Sequence, residues 1–166
     1  MTVDKNNAVI EYLLTCEDID NSPLYFNLIN AKNNTIQIIT NAQDSTYTRP
    51  YIDGSIPKRY SCDLIAFKSI SDAEFVKGTS VGTSYVHENV DELNDAQKIL
   101  DWIQTQNELK NFPDFGDGNV IDSIETTTNE PRFNGIDNSI NPPLAMYTIS
   151  IIITYVDETK VIYNKE

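Results

Sequence analysis

The sequence predicts an α+β fold: one domain over residues 1–166, built as a mixed, mostly antiparallel sheet with two helices packed on one face. Three observations carry that expectation. MYTISIIITYV at 146–156 alternates cleanly, with Tyr147, Ile149, Ile151, Ile153 and Tyr155 on one face and Thr148, Ser150, Ile152 and Thr154 on the other. Such a period of two marks a strand, here a central one. In residues 89–109, Val90, Leu93, Ala96, Leu100 and Ile103 recur at helical spacing, broadened by Ile99, Trp102 and Leu109, which predicts a helix of about 20 residues. Helix and strand signals follow one another as α, β, β, loop, α, β, β, with no internal repeat, low-complexity tract or linker, a pattern that suits helices segregated on one side of a sheet.

Taken in order, the chain opens with a helix from about Asp4 to Leu14. Asp4 can cap it, and Val9 with Leu13 and Ile10 with Leu14 stand four residues apart. DIDNSP reads as a loop, and TIQIIT at 35–40 has strand composition. NAQDSTYTRPYI continues in polar and aromatic residues, and Pro50 would confine it to an edge or a bulge. KRYSCDLIAFKSI at 58–70 alternates Tyr60, Cys62, Leu64 and Ala66 against Ser61, Asp63, Ile65 and Phe67, so it reads as a strand. Asp53-Gly54 and Pro57 supply turn chemistry before it, and a wide hairpin with a basic tip is expected. Residues 70–88, with Gly78 and Gly82, read as an irregular arm. Asn89 and Glu92 form a capping-box variant at the start of the long helix, and Pro113 and the glycines of FPDFGDGN end it. VIDSIETTT at 120–128 reads as a strand, and NEPRFNGIDNSINPP at 129–143 as a long polar loop before the last strand.

With 166 residues, 40% of them apolar and 10% aromatic, the chain can bury about 70% of the surface that its unfolded form exposes. Its formal net charge of −13 argues against ordinary nucleic-acid binding, which relies on Lys and Arg displacing counterions from phosphates. The same charge disfavours anionic membranes, and no apolar run approaches the roughly 20 residues that span a bilayer. MTVDKNNAVIEYLL has neither a basic leader nor a long apolar stretch, so no export signal is expected. Cys16 and Cys62 lack CxxC or Cys/His ligand spacing and read as two reduced thiols.

No chemistry emerges from the motifs. His87 is the one histidine, with no partner at a recognisable spacing, and reads as an ordinary loop residue. Acidic pairs such as Glu17-Asp18, Asp91-Glu92 and Asp157-Glu158 are what so acidic a chain contains by chance. DFGDGNVID places its acids at 114, 117 and 122, which does not match a calcium loop, and reads as a turn. A phosphate-cradling glycine loop, GxSxG and HExxH are absent. The expectation is therefore a protein that is not an enzyme and needs no cofactor or metal.

One local feature stands against the overall charge. Residues 49–68 hold Arg49, Lys58, Arg59 and Lys68 against only Asp53 and Asp63, a cationic island in a strongly anionic chain. These cations either balance nearby acids of the same molecule or present a patch to another one.

Several stretches together resemble a known family. They are YIDGSIPKRYSCDLIAF, ENVDELNDAQKILDWIQTQNELKNFPDFGDG, VIDSIETT, FNGID and MYTISIIITYV, which cover roughly residues 50–156 in the family's order. In these the chain resembles the tail terminator, or tail completion, proteins of long-tailed bacteriophages, often labelled minor capsid proteins. DWIQTQN followed by a proline-glycine turn is the most distinctive part. The resemblance implies a structural virion protein that assembles in the host cytoplasm as a homohexameric ring and resides at the head-tail junction. There it would cap the tail tube protein, meet the head connector or neck protein, and let DNA pass without specific binding. An acidic lumen repels DNA within a Debye length of about 8 Å at physiological salt. A head-completion or neck-ring protein of the same virion is the nearest alternative, and an acidic DNA-mimic inhibitor a more distant one.

A ring uses interfaces in which one patch meets a different patch of the next subunit. The island, with Arg49, Tyr51, Lys58, Arg59 and Tyr60, together with Tyr47, is the expected subunit interface, its tyrosines supplying aromatic contact area. The long 129–143 loop, with Arg132, Phe133, Asn134, Ile136 and Asp137, is the expected contact to the tube or neck.

Overall fold

A computed structural model describes residues 4–20, 23–27, 32, 35–41, 49–69, 88–141 and 143–158. His87, Tyr47 and residues 70–87 of the arm predicted at 70–88 lie outside them, and Glu88 belongs to a helix instead. Three helices and six strands follow in the order α1 (Lys5–Leu13), α2 (Glu17–Asp20), β1 (Leu24–Phe26), β2 (Thr35–Asn41), β3 (Pro57–Ser69), α3 (Glu88–Glu108), β4 (Asn119–Thr126), β5 (Arg132–Asp137) and β6 (Leu144–Asp157). The fold is the expected α+β arrangement.

Asp4 caps α1: its backbone is extended, and its side chain accepts from the Asn6 amide at 2.9 Å. Val9, Tyr12 and Leu13 turn inward at i, i+3, i+4, while Leu14 remains exposed. Among the described side chains of α3 the buried ones are Ala96, Ile99, Leu100 and Ile103, part of the stripe read from the sequence. The helix begins at Glu88, so Asn89 lies inside it and not at its cap. Lys110, at φ 55°, and the bond from the Asn111 amide to the Gln106 carbonyl wind the chain out of the helix. Leu109, read as part of the apolar stripe, is exposed there.

The sheet runs β1-β2-β3-β6-β4, with β5 also on β6. β3 and β6 pair antiparallel over the whole of β3, from Pro57↔Val156 to Ser69↔Leu144. Side chains that share a row across these strands form one apolar face: Ile38, Leu64 and Ile149; Cys62 and Ile151; Ile153 and Ile124. All are buried, in one core with Val9, Leu13, Ile99, Leu100 and Ile103 of the helices. Tyr12 rests against Trp102 with ring centroids 5.2 Å apart, which couples α1 to α3. Both long helices therefore cover the same face, as the pattern predicted.

β5 corrects the sequence reading. The segment that holds Arg132, Phe133, Asn134, Ile136 and Asp137 is a strand and not a loop. β4 pairs with Ile151–Asp157 of β6 and β5 with Leu144–Thr148, in the same direction, so the two lie end to end along one side of β6. The Thr127 amide donates to the Ser150 carbonyl at 3.0 Å and carries the ladder into the bend between them. A bulge between Phe133 and Gly135, with Gly135 at φ 114°, breaks the alternation that would have marked the strand. β1 and α2 fall in or beside the predicted DIDNSP loop. A three-residue strand and a four-residue helix are too short to show a period.

Candidate functional site

The cationic island folds into a pinned turn and the start of β3. The Tyr51 amide donates to the Ser55 carbonyl at 2.8 Å, and the Gly54 amide to the Tyr51 carbonyl at 2.9 Å. Asp53 accepts from both the amide and the hydroxyl of Ser55, at 2.9 and 2.7 Å, and these bonds lower its pKa. Gly54 takes φ 83°, which favours glycine at that corner. The turn is thus pinned from within, with Ser55 buried and Ile52 and Ile56 left to face outward. Ile52 is fully exposed, at 109% relative accessibility, and Ile56 is 58% exposed.

The basic residues divide into two kinds. Lys58 is held by Asp157 at 3.0 Å, and Lys68 stands 3.8 Å from Asp95. Those two balance acids of their own molecule. Arg49 and Arg59 are exposed, and no ion pair to either is found among the described residues. With the two lysines so balanced, Arg49 and Arg59 stand against Asp53 and Asp63 of the same segment, without an ion pair to either acid among the described residues.

The two tyrosines are both tied within the subunit but differ in exposure. Tyr60 donates to the Asn6 side chain at 2.9 Å and packs edge-on to the buried Phe115, with centroids 6.0 Å apart; its burial pushes its pKa up. It ties β3 to α1. Tyr51 donates to Asp122 of β4 at 2.9 Å, and this bond raises the pKa of the hydroxyl. Asp122 stands at the point where the β4 register shifts, between Ile121 and Ser123. The expected interface residues therefore come together at one end of the sheet, with Lys58 and Tyr60 engaged inside the subunit and Arg49, Tyr51 and Arg59 at its surface.

β5 carries the second set. Phe133 stacks on the buried Tyr147, with centroids 5.6 Å apart, yet remains 51% exposed, and Ile136 is 41% exposed. Arg132 donates to the Asn134 side chain at 3.0 Å, Asn134 to the Thr148 hydroxyl, and Asp137 accepts from the Ser139 hydroxyl and from its amide, bonds that lower the Asp137 pKa. These bonds organise the strand and its turn, and leave two apolar side chains on the sheet edge.

Sequence reasoning did not find a groove between α1 and the segment after α3. About 450 Å³ in volume, it is lined by Asp4, Asn7, Ala8, Glu11, Tyr12, Thr15, Phe112, Pro113 and Asp114. The Tyr12 hydroxyl crosses its base to donate to the Asn111 carbonyl at 2.9 Å. Contact between residues about a hundred positions apart leaves no trace in local periodicity.

Cys16 and Cys62 are both buried free thiols. Burial pushes Cys62 up to about 12. Among the described residues no group of three or more His, Cys, Asp or Glu is placed to hold a metal, and no helix is long and apolar enough to cross a membrane. No protein-family model and no curated protein matches the chain.

Proposed function

We propose that the protein is a structural component of a bacteriophage virion, a homohexameric ring that terminates the tail tube and joins it to the head connector. The observation that carries this reading is the surface turn at 51–56 on a chain of net charge −13. There Arg49 and Arg59, unpaired among the described residues, flank fully exposed Ile52. A segment that joins exposed apolar and tyrosine side chains to two exposed arginines without an ion pair among the described residues has the composition of a protein contact, since interface cores enrich arginine and aromatic residues. The resemblance of residues 50–156 to tail terminators supplies the identity of the partner: first another copy of the chain, then the tube and neck. Under this reading the apolar edge at Phe133 and Ile136 meets the tube or neck, and the acidic remainder repels the DNA that passes through the ring.

Sedimentation and negative-stain microscopy of the purified protein, alone and mixed with the tail tube protein, test the proposal. The expected result is a ring of six times the 18.8 kDa chain, and tubes that stop growing once capped. A protein that stays monomeric at every concentration and leaves tube length unchanged refutes it.

A further inference from the structure

We infer that the turn at residues 51–56 of one subunit docks into the groove between α1 and the Phe112–Asp114 segment of its neighbour. This rests on the ring reading above and names the surface that receives the turn.

The two surfaces are chemically complementary. The turn offers the fully exposed Ile52, and the exposed Arg49 and Arg59 precede and follow the turn in the chain. The groove has an apolar floor, in which Tyr12 and Pro113 are buried and Phe112 half-buried, and its rim bears Asp4, Glu11 and Asp114. Of the lysines nearby, Lys5 lies 5.2 Å from the Tyr155 ring centroid, while Lys110 stands 5.8 Å from that of Phe112 and so borders the groove. Among the described residues, those that line the groove include no cation. Asp4 and Asp114 each spend one oxygen on a backbone amide, of Asn6 and Gly116 respectively, and each keeps a second oxygen for a guanidinium. A volume of about 450 Å³ lies within the roughly 300–1,000 Å³ of pockets that bury whole small molecules, and so has room for an isoleucine side chain.

The placement favours a ring over a two-fold dimer. Lys58 and Tyr60 share rows with Tyr155 and Ile153 on the helix-covered face, so Arg59 between them leaves the sheet on the opposite face. The groove belongs to the helix layer. A patch on one face and its complement on the other suit repeated head-to-tail contact, which closes into a ring when the rotation allows.

Charge reversal in the full chain tests this, read by sedimentation and with folding followed by circular dichroism. Arg49→Glu with Arg59→Glu is expected to weaken ring association by on the order of tenfold or more at each interface, and Glu11→Lys with Asp114→Lys to do the same. Combining all four should restore rings. If the reversed groove fails to fold, Glu11→Gln with Asp114→Asn replaces it, with a smaller loss expected. A second measurement pairs Ile52→Cys with Asn7→Cys, two exposed positions, which on oxidation should give covalent ladders between subunits. Wild-type rings that persist in the groove variants, with no ladder, overturn the docking inference and leave the ring reading intact. Wild-type protein that forms no ring overturns both.

Discussion

Gln37 is wholly buried in the middle of β2, and among the described residues neither polar atom of its side chain has a hydrogen-bond partner. It points away from Ile36 and Ile38, in the row of Ile65 and Tyr25. A buried polar group without a partner costs about 1–3 kcal/mol, and methionine has nearly the same shape without the amide. Gln37→Met should therefore raise the urea midpoint, by a free energy of about 1–3 kcal/mol, with an unchanged dependence on denaturant. A midpoint that falls would mean that the amide has a use which outweighs its burial. Cys62 gives a prediction with a pH sign. Its folded-state pKa stands near 12, against an ordinary value of 9.0, because burial disfavours the thiolate. Its stabilising effect is complete below pH 9 and is lost as the pH climbs from 9 toward 12, where the unfolded thiol ionises first. Tyr12 and Tyr60, also raised by burial, tilt the alkaline limb the same way. Native protein at pH 8 should resist thiol reagents that label both cysteines once it is unfolded. Rapid labelling of the folded form would contradict this burial.

At the scale of elements, what was legible depended on whether a segment's period survives over enough residues. β6 and β3 alternate for more than ten residues, and α3 keeps its stripe from Ala96 to Ile103, so their types and inward faces followed from the sequence. β5 did not: Asn, Gly and Pro dominate its surroundings, its bulge at Gly135 breaks the alternation, and its pairing partner lies beyond the turn that follows it. The candidate site was legible in part for the same reason. Charge counting finds Arg49 and Arg59, but only the fold shows that Asp157 neutralises Lys58 and that Asn6 engages Tyr60. The strand identity of β5 changes how its role is tested. Cutting residues 129–143 to a tight turn would remove a strand from β6, so a substitution is the sharper probe. Phe133→Asp takes away an aromatic ring that is half in solvent, and should cost the monomer no more than about 1–2 kcal/mol. In the proposed ring it should abolish tube capping. Normal capping by a folded Phe133→Asp protein would release β5 from that role.

For the molecule as a whole, the net charge and the proposed contacts oppose each other, and ionic strength separates them. Every subunit carries −13, so bringing six together is resisted by repulsion over the full width of the ring. The contact of the basic turn with an acidic groove attracts over only a few ångströms. At about 0.01 M salt the Debye length is roughly 30 Å, and the long-range repulsion acts almost unscreened; at about 0.15 M it shrinks to roughly 8 Å, and at 1 M to roughly 3 Å. Moderate salt therefore removes repulsion between distant charges first, while pairs that are partly withdrawn from water at the interface are screened much less. Ring formation should be poorest near 0.01 M, rise toward 0.15 M and decline again toward 1 M as the arginine contacts themselves weaken. Sedimentation of the same protein stock across that series measures it. Arg49→Glu with Arg59→Glu should lose the decline at high salt, because the attraction that salt would screen is gone. Rings that are most stable at the lowest salt would mean that attraction between subunits outweighs their shared negative charge at long range. The acidic surface would then have to be divided between faces in a way that this balance of forces does not allow.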